Sequence, residues 1–386
     1  MKYINRTCQV CGGSSADRIY SNAMSPLGGL DMSYILARCN NCGFHFASEL
    51  PNEKQYLLYY NELSKYDTQL TVSPLDKVRI DAAVNLCLSQ GVPKETRILD
   101  LGCGFGALLA ALRDVGYTNL QGVDPAPQSS RQAQEQFGIN HVYQGTLSTA
   151  SSVVSLYEVD LVCLMAVLEH LPELQRDMRK LFSQLRPGTQ VLVEVPALDL
   201  FESEDGEPFG ELSIEHIQFF SVQSMRNLFS NLGAKIVEQR LLPLSGLHSG
   251  ALFMLAQLTD DSALSVAPER SDAMDKYLAG SANRWNTALK RVPNQPFVLY
   301  GAGSHSARLL QKLDQEQCEN LVAILDGNIN LHGKRFGKWV VESPDSLAKY
   351  PRLPVLISSY RSELTIARYL KQRFPDQTLR LMYDNV

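Results

Sequence analysis

Between residues 97 and 257, short apolar runs alternate with stretches whose apolar side chains recur every three or four positions. The runs predict strands over 97–101, 120–123, 159–164 and 190–195. The periodic stretches predict helices over 107–115, 128–137 and 174–185, the last stopped by Arg186-Pro187-Gly188. A helix over 222–232 and strands near 235–240 and 251–257 complete the pattern. Apolar strands alternating with helices at this spacing imply a doubly wound α/β sheet, mostly parallel and covered on both faces.

A second α/β pattern begins at Phe297-Val-Leu-Tyr300. It runs through Gly301-Ala-Gly303-Ser-His-Ser306, a helix with Leu309 and Leu310, a strand over 321–325 ending at Asp326, and a strand over 353–358. Residues 259–272 are small and polar and read as a linker. The expected division is an N-terminal module over 1–73, an α/β domain over 74–260 and a Rossmann-like C-terminal domain over 261–386. A chain of 386 residues exceeds what one core supports.

Composition narrows the function classes. Hydrophobic residues make up 45% and charged residues 20%, as in an ordinary globular protein. The net charge is −5, and the chain has no block of positive charge to neutralise phosphates, which speaks against a nucleic-acid partner. The first residues lack the apolar core of a signal peptide. Apolar runs such as 161–168 fall far short of the roughly 18 residues that span a bilayer. The expected location is the cytoplasm, where the eight cysteines would not form structural disulfides.

Four of those cysteines form matched knuckles, Cys8-Gln-Val-Cys11-Gly and Cys39-Asn-Asn-Cys42-Gly. Each Cys-x-x-Cys turns two thiolates towards one ion, and two knuckles close the tetrahedron of a structural Zn²⁺. Such an ion would stabilise a module with little core of its own. A redox role for one pair is the alternative, and it would not require the second pair. Cys87, Cys103, Cys163 and Cys318 are scattered singly and read as packing residues.

The strand at 97–101 runs directly into Gly102-Cys-Gly104-Phe-Gly106 and then into a helix. Glycines at alternate positions bring backbone close to a ligand, and the helix start behind them offers unpaired N–H groups. Asp124, ending the next strand, can accept hydrogen bonds from ribose hydroxyls. A dinucleotide fingerprint would read G-x-G-x-x-G, whereas this loop reads D-x-G-x-G-x-G from Asp100. The loop resembles motif I of class I S-adenosylmethionine (SAM)-dependent methyltransferases, and residues 160–170 resemble their fourth-strand motif. The resemblance implies SAM held by Asp100, Gly102, Cys103, Gly104, Gly106 and Asp124, with Pro125, Leu147 and Met165 around them. The alternative is a domain whose glycines serve only tight packing.

Residues 199–220 (DLFESEDGEPFGELSIEHIQFF) form a long non-periodic stretch, a length common in functional lids. It carries Glu215-His216 beside Phe219-Phe220; a histidine bonded to a carboxylate suits proton abstraction, although a Glu-His pair is also an ordinary surface feature. Two zinc knuckles, then Tyr56, Tyr59, Tyr60 and Tyr66, then a SAM domain with Glu-His-x-x-Phe-Phe-Ser form a recognisable order. It resembles the three-domain sugar C-methyltransferases, typified by the NDP-4-keto-dideoxyhexose 3-C-methyltransferases. The resemblance implies that His216 removes a proton next to a sugar ketone, with Glu215 orienting it, His170 entering the same cleft and Tyr66 bonding the substrate. It also implies a nucleotide-diphosphate sugar as small-molecule partner, enclosed by the C-terminal domain near Tyr300, His305, Asp326 and 358–360. The chain departs from that group at Ser213, where the related enzymes carry a tyrosine. O- or N-methylation of another metabolite, and SAM binding without turnover, stay open as alternatives.

Overall fold

The computed structural model describes residues 4–51, 55, 71–202, 206–244, 250–259 and 266–383. Tyr66, like Tyr56, Tyr59 and Tyr60, lies outside the described residues. Three sheets carry the chain.

The first is antiparallel and holds β1 (Ile4–Asn5), β2 (Ala16–Asn22), β3 (Tyr34–Cys39) and β4 (His45–Leu50) in the order β1-β4-β3-β2. The second knuckle makes the turn between β3 and β4. Cys8, Val10, Cys39, Cys42, Phe44 and Phe46 do not form a separate core, because they pack into the one beneath the second sheet.

That second sheet begins after helix α1 (Pro74–Ser89), whose first turn is fixed by Ser73 accepting from the Asp76 N–H and by proline at its start. Strands β5 (Ile98–Leu101), β6 (Leu120–Asp124), β7 (Val142–Gln144), β8 (Leu161–Met165) and β9 (Gln190–Pro196) run parallel. Helices α2 (Ala107–Asp114), α3 (Ser129–Phe137) and α4 (Leu174–Phe182) connect them. A two-residue strand β10 (Gln218–Phe219) and helix α5 (Val222–Asn231) lead into β11 (Ala234–Pro243) and β12 (Gly250–Leu258). The order is β11-β12-β9-β8-β5-β6-β7, with β12 antiparallel to β9. This is the doubly wound sheet that the alternating pattern implies. Successive residues take opposite faces: Leu99, Val162 and Val191 join the core shared with the cysteine knuckles, whereas Ile98, Cys163 and Leu192 pack under α1 and α2.

The third sheet follows helix α6 (Ala273–Leu289) and contains β13 (Phe297–Tyr300), β14 (Leu321–Leu325), β15 (Arg335–Phe336), β16 (Trp339–Glu342), β17 (Val355–Ile357) and β18 (Leu379–Leu381). Its order is β15-β16-β14-β13-β17-β18, parallel apart from β15. Helix α7 (Ser304–Leu310) follows β13, α8 (Gln315–Asn320) precedes β14, and α9 (Glu363–Arg373) follows β17.

The strands of the first sheet, β7 and α6 have no counterpart in the sequence pattern, and three further features differ from it. The helix expected to reach residue 185 ends at Phe182, because its last turn tightens into bonds from Gln184 N to Leu181 O and Leu185 N to Phe182 O. The stretch expected as a lid is packed: Leu212, Ile217 and Phe219 are buried, and β10 pairs with β4, placing Phe219 opposite His45. Its apolar side chains gain more from joining the core between the first and third sheets than from facing water. The described part of the expected linker is also tied down. Ala267 exchanges hydrogen bonds with the Asn227 side chain, and Glu269 N donates to Cys42 O. Among the described residues no helix is long and apolar enough to cross a membrane.

Candidate active site

The glycine loop leaves β5 at the carboxyl end of the sheet, where ligands bind in folds of this kind. Gly102 has φ +83°, and a β-carbon there would lie 2.6 Å from Val167 Cγ2, so only glycine fits. Gly104, at φ +51°, faces open space, with nothing within 4 Å of a β-carbon built on it. Gly106 caps α2 and packs against Ala133. The Cys103 thiol turns inward, since a β-carbon on Gly122 would lie 2.7 Å from it; this leaves main-chain atoms for any contact with a ligand.

Asp124 organises the loop. Its carboxylate accepts from Gly104 N at 2.8 Å, Ala126 N at 2.9 Å and Ser129 Oγ at 2.8 Å. A carboxylate offers about four acceptor positions, so about one remains for a ribose hydroxyl. Asp100 is buried, with Oδ1 unpartnered. Burial, and then the charge of Asp124, push its carboxyl up to about 7. An orphaned buried acceptor beside an open glycine loop fits a ligand that brings a donor, as the amino group of SAM does. Leu147 is half-buried against the core, Pro125 is exposed on the turn after β6, and Met165 ends β8. The next residue, Ala166, takes φ +53°, a strained conformation for a residue with a β-carbon.

That turn delivers Glu169 and His170. The rings of His170 and His216 meet edge to face with centroids 5.1 Å apart. One oxygen of Glu169 and one nitrogen of each histidine lie within 4.8 Å of one another. His170 Nδ1 lies 3.1 Å from the main-chain oxygen of Glu215; it therefore carries the proton and leaves Nε2 facing Glu169 Oε1 at 3.8 Å. Among the described residues Glu169 is the carboxyl group that clusters with both imidazoles, and the main-chain oxygen of Glu215 meets His170. Ser213 caps this turn: its Oγ accepts from Glu215 N and His216 N.

The sequence did not single out Glu169, Arg79 or Glu194. Glu169 is buried with Oε2 unpartnered, and burial pushes it up to about 7. Arg79 of α1 forms a two-pronged ion pair with Glu194 of β9, including Nε to Oε1 at 2.7 Å. Glu194 stands out as a charge inside an apolar strand, and that was the available signal. Burial holds His216 well below the usual histidine value, and the nearby charges of His170 and Arg361 add to this, so its imidazole is neutral at pH 7.

The four knuckle cysteines form one cluster, with Sγ distances of 3.6 Å for Cys8–Cys42 and for Cys11–Cys39. Tetrahedral Zn²⁺ with bonds of about 2.3 Å would hold sulfurs about 3.8 Å apart, whereas a disulfide needs about 2.05 Å. The donor set fits a closed, structural ion.

In the third sheet His305 is buried between Ser358 Oγ at 2.8 Å and the Tyr383 hydroxyl at 2.7 Å, with Trp285 against its ring. Asp326 accepts from Ala302 N at 2.7 Å. Tyr300 is buried in β13 and Tyr360 packs on Tyr383.

Residues 74–239 match the family model of a methyltransferase domain. A ubiquinone biosynthesis O-methyltransferase of Pseudomonas fluorescens is 29% identical over 136 residues, 34% of this chain and 55% of that protein. One from Neisseria meningitidis is 25% identical over 137 residues, again 34% of this chain and 55% of that protein. The chain spans about half the length of these curated relatives. Among solved structures, 1,6-didemethyltoxoflavin-N1-methyltransferase of Burkholderia thailandensis superposes with a TM-score of 0.44 at 17% identity, covering 57% of this chain and 98% of that one. Magnesium protoporphyrin IX methyltransferase of Synechocystis gives 0.41 at 16%, covering 54% and 98%.

Proposed function

With residues 74–239 as its methyltransferase domain, we propose that the chain is a SAM-dependent C-methyltransferase acting next to the ketone of a nucleotide-linked keto-deoxy sugar. The observation that carries the reading is the pair of facing imidazoles, His170 and His216, with the buried carboxyl of Glu169 at the carboxyl end of the sheet. A carbon acid needs a base held neutral in a partly dry site, and His216 is such a group.

His216 takes the proton from the carbon next to the ketone. The electron pair of that C–H bond enters the enolate and then forms the new bond to the methyl carbon. SAM supplies that electrophilic methyl and leaves as a neutral thioether. The proton on His216 passes to water or to the His170–Glu169 pair, whose carboxyl titrates near 7. Asp100, Asp124, Gly102, Gly104, Gly106 and the main chain of Cys103 would hold the cofactor, with Pro125, Leu147 and Met165 around it. Tyr66 would bond the sugar, and Cys8, Cys11, Cys39 and Cys42 would hold zinc.

O-methylation is the second reading. It is favoured by the relatives that are named O-methyltransferases, and it would need the same base but no carbon acid. One experiment separates the two. A panel of nucleotide keto sugars and of phenolic and hydroxyl metabolites is offered with methyl-labelled SAM in deuterated water. The C-methyl reading expects label on a sugar carbon, and exchange of the proton beside the ketone that stops in His216→Asn. Label only on oxygen or nitrogen, or full turnover by His216→Asn, overturns it.

A further inference from the structure

Arg308 lies on α7, in the run Ser306-Ala307-Arg308-Leu309-Leu310, and is buried among apolar neighbours. A buried guanidinium is normally held by a carboxylate, since an uncompensated charge in a core is costly. Among the described residues no carboxylate pairs with it, and its Nε has no hydrogen-bond partner. Its Nη2 donates instead to the main-chain oxygen of Leu212 at 2.8 Å and to Asn22 Oδ1 at 3.2 Å. Asn22, the last residue of β2 and itself fully buried, donates its Nδ2 to the same Leu212 oxygen at 3.1 Å. Three polar groups from three distant parts of the chain therefore close a triangle on one carbonyl.

The placement of that carbonyl gives the triangle its meaning. Leu212 comes immediately before the Ser213 cap and four residues before His216. On the far side of His216 the chain is held by Ile217 N to Glu169 O, Ile217 O to Ala47 N, and the β10–β4 pairing. On the near side, Phe209 sits under the guanidinium at 5.5 Å and has φ +56°, a strained backbone that needs holding. The histidine is thus strung between two anchors. One is the first sheet; the other combines the triangle that Asn22 and Arg308 make with two bonds from α6, in which Ser281 Oγ accepts from Phe209 N at 3.1 Å and the Tyr277 hydroxyl accepts from Glu211 N at 2.9 Å.

We infer that Asn22 and Arg308 are positioning residues for His216, acting through the Leu212 carbonyl. The inference rests on the reading of His216 as the base. It explains why a charge is kept in a core: the fork of Arg308 and the amide of Asn22 fix the near end of the turn that carries the imidazole. A displacement of the order of 1 Å at a reacting group costs about 10²-fold in rate, so a weak anchor here reads out in chemistry before it reads out in binding.

The test uses Asn22→Ala, Arg308→Lys and Arg308→Met in the full chain, with the acceptor that takes label in the panel above. Amide hydrogen exchange over 210–217 should speed at least about tenfold, while exchange over 102–106 and the affinity for S-adenosylhomocysteine stay within about twofold of the parent. The rate constant kcat should fall about 10²-fold with KM nearly unchanged. Arg308→Lys, which keeps the charge but on a single donor nitrogen without the planar fork, should fall between. The Asn22→Ala/Arg308→Met pair should lose much less than the product of the single losses, because both act on one carbonyl. If Arg308→Met fails to fold, Asn22→Ala and Arg308→Lys carry the test. Unchanged exchange over 210–217, or losses that fall on KM and cofactor affinity as much as on kcat, would overturn the inference. Loss of the base reading itself shows separately, as full turnover in His216→Asn.

Discussion

The ion pair between Arg79 and Glu194 should respond asymmetrically to the loss of either partner. Glu194 lies inside β9 with its side chain 1% exposed, whereas the Arg79 side chain, on α1, is 20% exposed. Arg79→Met strands a carboxylate in the sheet, and breaking a buried pair in this way costs about 3–5 kcal/mol. Glu194→Gln strands a guanidinium that still has Asp76 Oδ1 at 3.6 Å and partial access to water. Its cost should be nearer 1–2 kcal/mol, about that of an imperfect hydrogen bond. Arg79→Met/Glu194→Leu exchanges the pair for packing and should come within about 1–2 kcal/mol of the parent. With three sheets the chain has no single unfolding midpoint to quote, so native-state hydrogen exchange of the β9 amides is the suitable assay. At tenfold per 1.4 kcal/mol, Arg79→Met should speed their exchange about 10²- to 10⁴-fold and Glu194→Gln about tenfold. Equal effects from the two single changes, or a double variant as weak as Arg79→Met, would refute the reasoning.

The other predictions concern the cofactor loop and the cysteine cluster. Asp100 is pushed up to about 7 in the folded chain, so between the ordinary carboxyl value and about 7 the folded state holds a proton that the unfolded state has released. Its contribution to stability is present in acid and lost as pH rises through 7. Asp100→Asn should therefore gain on the parent by about 2–3 kcal/mol between pH 5 and pH 8, read as a growing difference in the native-state protection of the β5 amides without cofactor; a constant difference would count against the burial argument. Cys39→Ser should lose about one equivalent of zinc by metal analysis. It should also loosen β4, and with it the β10 pairing beside His216, so methyl transfer should fall while S-adenosylhomocysteine still binds. Zinc retained, or cofactor affinity lost in parallel, would oppose this account.

Most of the central sheet was legible because its buried strands are short apolar runs, whereas β7, Val142–Gln144, is too short and polar to stand out. The expected strand at 120–123 and the observed β6, Leu120–Asp124, differ by one residue. The glycine loop was equally plain, because its chemistry is local. What the pattern could not carry was partnership across distance. Glu169 and Arg79 acquire meaning only once β8, β9 and α1 are side by side, and no spacing links Asn22 to Leu212, 190 positions later. The stretch 199–220 misled for a related reason. Non-periodic sequence reads as exposed loop, yet its Leu212, Ile217 and Phe219 are satisfied by two sheets at once.

The two glycine loops show why a local pattern stops short of a ligand. In both, a strand runs through Gly-x-Gly into a helix, and the acid ending the next strand accepts from a loop N–H: Gly104 N to Asp124 at 2.8 Å, Ala302 N to Asp326 at 2.7 Å. Around the second loop the polar groups satisfy one another. Ser306, standing where a G-x-G-x-x-G fingerprint has its third glycine, donates back to Gly301 O at 2.6 Å, and Ser358 and Tyr383 occupy both nitrogens of His305. A β-carbon on Gly301 would lie 2.8 Å from Ser358 O, so that glycine serves a close approach of backbone to backbone. The first loop keeps a buried carboxylate oxygen on Asp100 without a donor and open space at Gly104. The same turn of chain thus closes one sheet upon itself and leaves the other in want of a partner, and it is the unmet acceptor rather than the glycines that marks the site.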